Sequence, residues 1–312
     1  MSSIPEIVSY LNFGRNCLLE SIEGLSRREM TEIPVYPEWT IKDVLAHIIG
    51  WDRRVIAILP LIVNDRAGEV PGVDVADHNA RSVAAGRQKS LPELLAEIRQ
   101  THQEIMTMIS GLEHREIDRR HERNGRVITI RSYIIQIMVD HERQHAAEIE
   151  AWRAQLDEAI DPAAIKAGLR QSRERFMARL DAVSEAQALQ PNTAGEWSIN
   201  DVVGHLVDWE RLILQAARHI HDPSQPAVPP YPGSDDDLNQ ILAGRRAGTP
   251  WAETLRELRQ VQQQVDAFVA GCTPGDWRLR GPYPYNHDHG TLAELVGSFA
   301  VHYDDHLPDL PG

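Results

Sequence analysis

Two pairs of histidines in the sequence have the spacing of metal ligands on a helix. His141 and His145 lie four residues apart, and His302 and His306 repeat this spacing later in the chain. Residues four apart lie one above the other on a helix, with Cβ atoms roughly 6 Å apart, so two imidazoles can reach one ion. Isolated pairs of this kind are more often surface or hydrogen-bonded histidines. A metal site therefore requires a third ligand from another helix.

A repeated block supplies that third ligand. The segment EWTIKDVLAHIIGWDRR at 38–54 returns as EWSINDVVGHLVDWERL at 196–212, with eight of the seventeen positions identical. His47 and His205 occupy the same position in the two copies, and each lies in an apolar series, where an unpaired polar group is costly. Because all three histidines recur, we interpret them as ligands. The two predicted metal sites are His47, His141 and His145, and His205, His302 and His306.

Three neutral imidazoles without a further protein ligand resemble a catalytic centre with open coordination positions. Such a set suits Zn²⁺, Ni²⁺ or Fe²⁺ and would lower the pKa of a bound water to roughly 7. The sequence does not identify a general acid or base, because helix phase alone does not show which nearby side chain faces the ion. The candidates close to the histidines in sequence are Asp140, Glu142, Glu148, Tyr303 and Asp304.

Helices must position these ligands, and the sequence predicts four in each half. Capping boxes open the repeated block, with Thr40 and Asp43 in one copy and Ser198 and Asp201 in the other. Apolar residues then recur three and four apart. The predicted helices span 5–25, 40–63, 90–111 and 130–156 in the first half, and 162–185, 198–221, 250–271 and 291–307 in the second.

The repeat indicates an all-α protein made of two tandem four-helix bundles, with domains at 1–158 and 159–312. Polar connections at 64–89 and 222–248 are long enough to let successive helices run parallel, as crossover bundles require. The first carries Asp77-x-Asn79 and the second Asp237-x-Asn239. An Asn-Gly pair within 121–130 predicts a small hairpin beside the first bundle.

Composition excludes several classes of protein. The net charge of −14 argues against nucleic acid or an anionic membrane as the main partner, since both need a basic face. No signal peptide and no membrane-spanning run are evident. Cys17 and Cys272 do not occupy matching positions and are interpreted as reduced thiols of a cytoplasmic protein.

Other residues favour structural roles. Trp39, Trp51, Trp197 and Trp209 are expected to pack in the core or an interface rather than contact substrate. Arg53 and Arg211 follow Asp52 and Glu210, and a buried ion pair or an anion-binding role remains open for them. The remaining histidines are expected at the surface, and a part in the second site stays open for His287 and His289, which flank a loop near it.

The block W-[ST]-x-x-D-[VL]-x-x-H-[IL]-x-x-W at 39–51 and 197–209 resembles the DinB-like superfamily. It is similar to the ClbS/DfsB branch and to the N-terminal domain of mycothiol-dependent maleylpyruvate isomerase. The resemblance covers both halves and implies up-down-down-up bundles with a three-histidine divalent metal site at the six residues given above. Because family members are commonly dimers of single domains, the chain resembles a fused dimer. We expect a monomer whose halves are related by a pseudo-twofold axis.

The resemblance implies two classes of function. Members with assigned activities are transferases or isomerases that use low-molecular-weight thiols, or hydrolases that act on reactive small molecules. The favoured interpretation is therefore a metal-dependent enzyme with a small-molecule substrate, in which water or a thiol cosubstrate is the nucleophile. The alternative is a resistance protein that sequesters a small molecule or a metal without turnover. The presence of open coordination positions favours the enzyme.

Overall fold

The long helices of the first half begin and end close to the positions that the sequence predicts. The computed structural model describes residues 3–123, 126–231, 233–286 and 288–311. The helices and strands of the first half are α1 (Ile4–Ile22), α2 (Arg27–Thr31), β1 (Pro34–Tyr36), β2 (Trp39–Thr40), α3 (Ile41–Val63), α4 (Val75–Arg87), α5 (Leu91–Ser110), α6 (His114–Ile117), β3 (His121–Arg123), β4 (Arg126–Ile128), α7 (Ile130–Ile134) and α8 (His141–Glu158). A π-helical turn, Ile135–Asp140, joins α7 to α8.

The second half repeats this order. Its elements are α9 (Pro162–Leu180), α10 (Glu185–Ala188), α11 (Ile199–His221), α12 (Asp235–Arg246), α13 (Trp251–Gly271), β5 (Arg280–Pro282), β6 (His289–Thr291) and α14 (Leu292–Asp305). The protein is thus all-α, with two tandem four-helix domains and only two-stranded sheets among the described residues. The chain divides into two compact units, Met1–Glu23 with Arg27–Leu156, and Gly24–Ser26 with Asp157–Gly312. The domain boundary between 158 and 159 stays a prediction.

Both predicted capping boxes of the repeated block are present. The Thr40 hydroxyl accepts a hydrogen bond from the Asp43 amide, and the Asp43 carboxylate accepts one from the Thr40 amide at 3.0 Å. Ser198 and Asp201 form the same pair at the start of α11. Because these caps satisfy first-turn amides, they fix the residue at which α3 and α11 begin. The start of each helix in turn sets the side of the helix on which its histidine lies.

The two connections predicted to be polar linkers each contain a helix, α4 or α12. Asp74 caps α4, and Ser234 caps α12 with Asp237. Within the predicted connection 222–248, Asp235–Asp237 form the first turn of α12, where negative charge is favourable. Apolar periodicity did not reveal these helices because each buries few side chains.

Three small hairpins lie beside the bundles. The β3–β4 hairpin confirms the predicted one, with His121 opposite Ile128, although its turn residues Asn124 and Gly125 lie outside the described residues. The β1–β2 hairpin directly precedes α3, and β5 pairs with β6 directly before α14. The β1–β2 hairpin places Tyr36 and Trp39 beside the N-terminus of α3.

Each unit has its own apolar core. In the first, Ile7 and Leu11 of α1 pack with Val55, Ile58 and Leu59 of α3 and with residues of α5 and α7. In the second, α9, α11, α13 and α14 bury a corresponding set that includes Phe176, Phe299 and Tyr303. Tyr10 of α1 lies outside the core of the first unit and is half exposed. No helix among the described residues is long and apolar enough to span a membrane.

Candidate metal centres

The structure brings the three predicted histidines of the first half together. His47 lies on α3, and His141 and His145 lie on α8. The Nε2 atom of His141 is 3.0 Å from that of His47 and 3.1 Å from that of His145. His47 and His145 are buried. Because α8 begins only after the π-helical turn, the spacing of its two histidines remains that of an ordinary α-helix.

Hydrogen bonds fix the orientation of the His145 ring. The Tyr36 hydroxyl lies 2.7 Å from His145 Nδ1 and also hydrogen-bonds the Glu148 carboxylate. Burial raises the pKa of Tyr36 above its ordinary value, and the hydrogen bond to the negatively charged Glu148 raises it further, so the phenol keeps its proton. That proton is donated to Glu148, which leaves the phenol oxygen to accept from His145 Nδ1–H. The lone pair of His145 is therefore on Nε2, directed toward the other two histidines.

The second half contains the corresponding group. His205 of α11 and His302 of α14 have their Nε2 atoms 2.9 Å apart, and one ring nitrogen of His306 lies within 4.8 Å of both partners' ligand atoms. Helix α14 ends at Asp305, earlier than predicted, and His306 is its C-cap. The turn that follows brings Asp309 to 2.7 Å from His306 Nδ1. A carboxylate three residues after the third histidine thus contacts its Nδ1 in both halves, the arrangement common around metal-bound histidine.

The imidazoles of His47, His141, His205 and His302 are uncharged at neutral pH in this environment. Burial, then the neighbouring imidazoles, lowers the pKa of His47 to about 3 and that of His205 to about 3, from an ordinary 6.5. The same causes lower the pKa of His302 to about 3 and of His141 to about 4. Neutral nitrogens about 3 Å apart suit a shared cation, since Zn–N distances of roughly 2.0–2.1 Å place two ligand nitrogens of a tetrahedral site roughly 3.3–3.4 Å apart, only slightly farther than here. Each triad can therefore hold a divalent ion.

The first triad opens into a cavity of about 920 Å³. Trp39 and Trp51 form part of its wall, with ring centroids 5.1 and 6.5 Å from that of His47. These two tryptophans, predicted as core or interface packing, therefore face the open space, whereas Trp209 is buried. The polar residues that line this first cavity include Asn79, Gln136, Asp140, Gln144 and Glu148.

The repeated asparagine has a structural role. Asn79 of α4 accepts a hydrogen bond from Trp51 Nε1 at 3.1 Å, and Asn239 of α12 accepts one from Trp209 Nε1 at 2.7 Å. Each asparagine thereby fixes an indole beside the histidine of the preceding helix. The similarity between the two connections in the sequence thus marks a contact that shapes both sites.

The structure separates the acid–base candidates. Asp140 and Glu148 line the first cavity. Glu142 and Tyr303 are buried and contact arginines inside their bundles. Asp304 forms an ion pair with Arg175 at 2.7 Å. Of these five candidates, only Asp140 and Glu148 are therefore placed to exchange a proton with a molecule in the first cavity.

A buried ion-pair network beside the first triad was not predicted. Arg15 of α1 contacts Asp52 of α3 at 2.9 Å and Glu142 of α8 at 2.6 Å, and Thr101 of α5 donates to Asp52 at 2.5 Å. The network joins all four long helices. Because Glu142 directly follows His141, the network also fixes the rotation of α8 about its axis relative to α3. Burial raises the pKa of the Glu142 carboxyl to about 7, while Arg15 opposes this rise.

The repeat contained a signal for this network. Arg15 and Arg173 lie 158 residues apart, as do Asp52 and Glu210, and the same offset relates His47 to His205. Arg173 contacts Glu210 at 3.1 Å. The neighbouring Arg53, considered as the partner of Asp52, is instead exposed and pairs with Glu97, and Arg211 pairs with Asp208 and Glu257.

The other histidines lie apart from the triads. His114, His221 and His289 are exposed, as predicted, whereas His121 is buried, and His78, His102 and His219 are partly buried. His121 was expected at the surface, but its strand packs against the first bundle. His287 lies outside the described residues.

Comparison with known proteins gives one family. A family model described as the DinB superfamily matches residues 10–149 and 168–309. No curated protein matches the chain. Among solved structures, an uncharacterised protein from Escherichia coli UTI89 is 14% identical, with a TM-score of 0.42 over 48% of this chain and 90% of that one. The structure titled Sibling Lethal Factor Precursor - DfsB is 16% identical, with a TM-score of 0.43 over 50% and 98%.

Proposed function

Both halves of the chain belong to the DinB superfamily, and from that premise we propose that each half binds one divalent metal ion. We propose further that the first half is an enzyme in which water or a low-molecular-weight thiol attacks a reactive small molecule. One observation carries the proposal: the uncharged, converging nitrogens of His47, His141 and His145 face a cavity of about 920 Å³. A volume of this size accommodates a small molecule beside the ligands.

The residues around the ligands have distinct tasks in this proposal. When bound, a divalent ion supplies a Lewis acid that polarises an electrophile and strengthens water or a thiol as a nucleophile at neutral pH. Trp39 and Trp51 present an apolar wall that limits the water around the substrate. Asp140, an exposed carboxylate at the edge of the cavity, accepts the proton that the nucleophile loses. Gln136 and Gln144 can hydrogen-bond a polar group of the substrate.

The activity can be tested with a panel of thiols and electrophiles. Glutathione, mycothiol, bacillithiol and coenzyme A would be combined with 1-chloro-2,4-dinitrobenzene, and ester hydrolysis would be followed with p-nitrophenyl acetate. We expect turnover by metal-loaded wild-type protein and by His302→Ala, and its loss in His141→Ala and in metal-free protein. Equal rates with and without metal would remove the catalytic role of the first triad. Saturable ligand binding without turnover would instead support sequestration.

Tyr36 provides a test that separates the two sites. Its hydroxyl accepts from His145 Nδ1, and the equivalent position 158 residues later is Ala194, so the second site has no counterpart. Tyr36→Phe should weaken metal binding at the first site about 10- to 100-fold, the usual effect of losing such an orienting partner. The second site should be unchanged. Competition with a chromophoric chelator would measure both affinities.

The exposed Tyr10 on α1 offers the matched control, because Tyr10→Phe removes the same hydroxyl away from the triad. Equal metal affinities in Tyr36→Phe and wild type would show that Glu148 alone orients His145.

A further inference from the structure

A second cavity of the first unit lies between α3 and α4 and is independent of the histidine triad. Its volume is about 460 Å³. None of the residues that line it lines the metal cavity. Helix α4 separates the two spaces, with Asn79 facing one and His78 the other. A site here would therefore have its own ligand.

The lining combines an apolar floor with an excess of positive charge. Ala46, Ile49, Ile58 and Leu94 contribute apolar surface. The charged lining residues are four cations and one carboxylate: Arg53, Arg54, Arg81, Lys89 and Glu97. The concentration of cations contrasts with the chain's net charge of −14.

The carboxylates near this cavity do not balance its cations. Glu97 accepts from both Arg53 and Lys89, and Asp77 pairs with Arg81 at 2.8 Å. Glu93 is a third carboxylate close to Lys89, so four cations face three carboxylates and an excess of one positive charge remains. Within the described residues Arg54 forms no ion pair, and its guanidinium donates to the carbonyl of Pro71 at 2.7 Å. Arg54 is therefore the cation best able to take an external anion.

In the second half an arginine side chain lies across the corresponding position between α11 and α12. The offset of 158 residues that relates His47 to His205 pairs Gly50 with Asp208. The offset of 160 residues that relates Asn79 to Asn239 pairs Gly86 with Arg246. Arg246 contacts Asp208 at 2.6 Å and Glu257 at 2.9 Å, and its side chain packs over Gly204.

In the first half small residues stand at these positions. A Cβ on Gly86 would lie 2.2 Å from that of Ala46, so the two helices approach closely there. Because no side chain equivalent to Arg246 fills the first half's cavity, Arg54 remains accessible to a ligand. The open space at these positions thus follows from residues of the first half that the repeat does not share.

We propose that this cavity binds a small organic carboxylate with an apolar body. Arg54 takes the carboxylate, with Arg81 adding favourable charge at the rim, because a guanidinium forms two parallel hydrogen bonds to such a group. The apolar body lies against Ile49, Ile58 and Leu94. The volume is in the range of small-molecule sites.

Calorimetric titration with octanoate tests this site, with octanamide as the uncharged control. Octanoate should bind saturably to one site, and octanamide at least about tenfold more weakly, a difference of about 1.4 kcal/mol. Arg54→Gln should weaken octanoate binding by about tenfold or more. Ala57→Phe places a ring in the cavity from an exposed helix position and should abolish binding without disturbing the core.

Two further variants locate the ligand. Arg66→Gln removes an exposed arginine that pairs with Glu69 away from the cavity, and binding should be unchanged. His141→Ala should also bind octanoate normally, since the cavities share no lining residue. Absence of saturable binding, equal binding of octanamide, or full binding by both Arg54→Gln and Ala57→Phe would overturn the proposal. Loss of binding only in His141→Ala would place the carboxylate in the metal cavity instead.

Discussion

Replacing His141 with alanine should reduce the metal content of the purified chain from two divalent ions to one. The loss follows because two remaining imidazoles bind a divalent ion far more weakly than three, and no further histidine, cysteine or carboxylate completes this group among the described residues. His302→Ala should remove the other ion, and the double variant should hold neither. Elemental analysis of protein purified without chelator would measure the stoichiometry.

His114→Ala provides the control for this series, because His114 is exposed and lies outside both triads. Its metal content should equal that of the wild type. If both His141→Ala and His302→Ala also retain full content, the triads are structural histidines and the metal proposal fails. Where metal binds only the folded chain, its removal should lower the melting temperature of the wild type and leave that of the double variant unchanged.

Replacing Arg15 with alanine should lower the free energy of unfolding of the first unit by about 3–5 kcal/mol. The side chains of Arg15, Asp52 and Glu142 are almost completely buried. Removing the guanidinium leaves two carboxylates close together without a cation, and burial of an unpaired charge is strongly unfavourable. Since domains are usually stable by only about 5–15 kcal/mol, much of the stability would be lost. Urea unfolding followed by circular dichroism would measure it.

Arg53→Ala is the matched control, because that arginine lies one position from Asp52 but is exposed and pairs with Glu97. Its effect should stay within about 0.5 kcal/mol. Replacing the whole network by Arg15→Met, Asp52→Leu and Glu142→Leu should destabilise the unit less than Arg15→Ala alone, since no buried charge then remains. A small effect of Arg15→Ala would mean that Glu142 and Asp52 become protonated and tolerate the loss.

The sequence by itself determined the long helices and the six clustered histidines. Helices are encoded by local patterns, and capping pairs such as Thr40 with Asp43 fix where they begin. The spacing of His141 and His145 is also local, since it depends only on the helical repeat. His47, the third predicted ligand, is distant in sequence, but the duplication indicated it because the matching position carries His205.

Only the tertiary structure decided what surrounds those histidines. Arg15 and Glu142 are 127 residues apart, and Tyr36 and His145 are 109 apart. Contacts of this range depend on how helices pack, and Tyr36 has no repeated counterpart to indicate its role. For the same reason the sequence did not show that Trp39 and Trp51 face the cavity, and the prediction that they pack in the core or an interface was wrong. An aromatic residue near an apolar stripe can face either the core or a cavity.

The helices α4 and α12 show the limit of periodicity most clearly. They bury only a few side chains, Val83 and Gly86 in the first and Leu238 and Leu242 in the second, so their sequences resemble polar loops. Their stability comes from caps and from packing on α3 and α11. That packing brings Asn79 into contact with Trp51 and forms the cavity beside Arg54. The missing side chains of Gly50 and Gly86 leave space there only because α3 and α4 pack against each other at these positions.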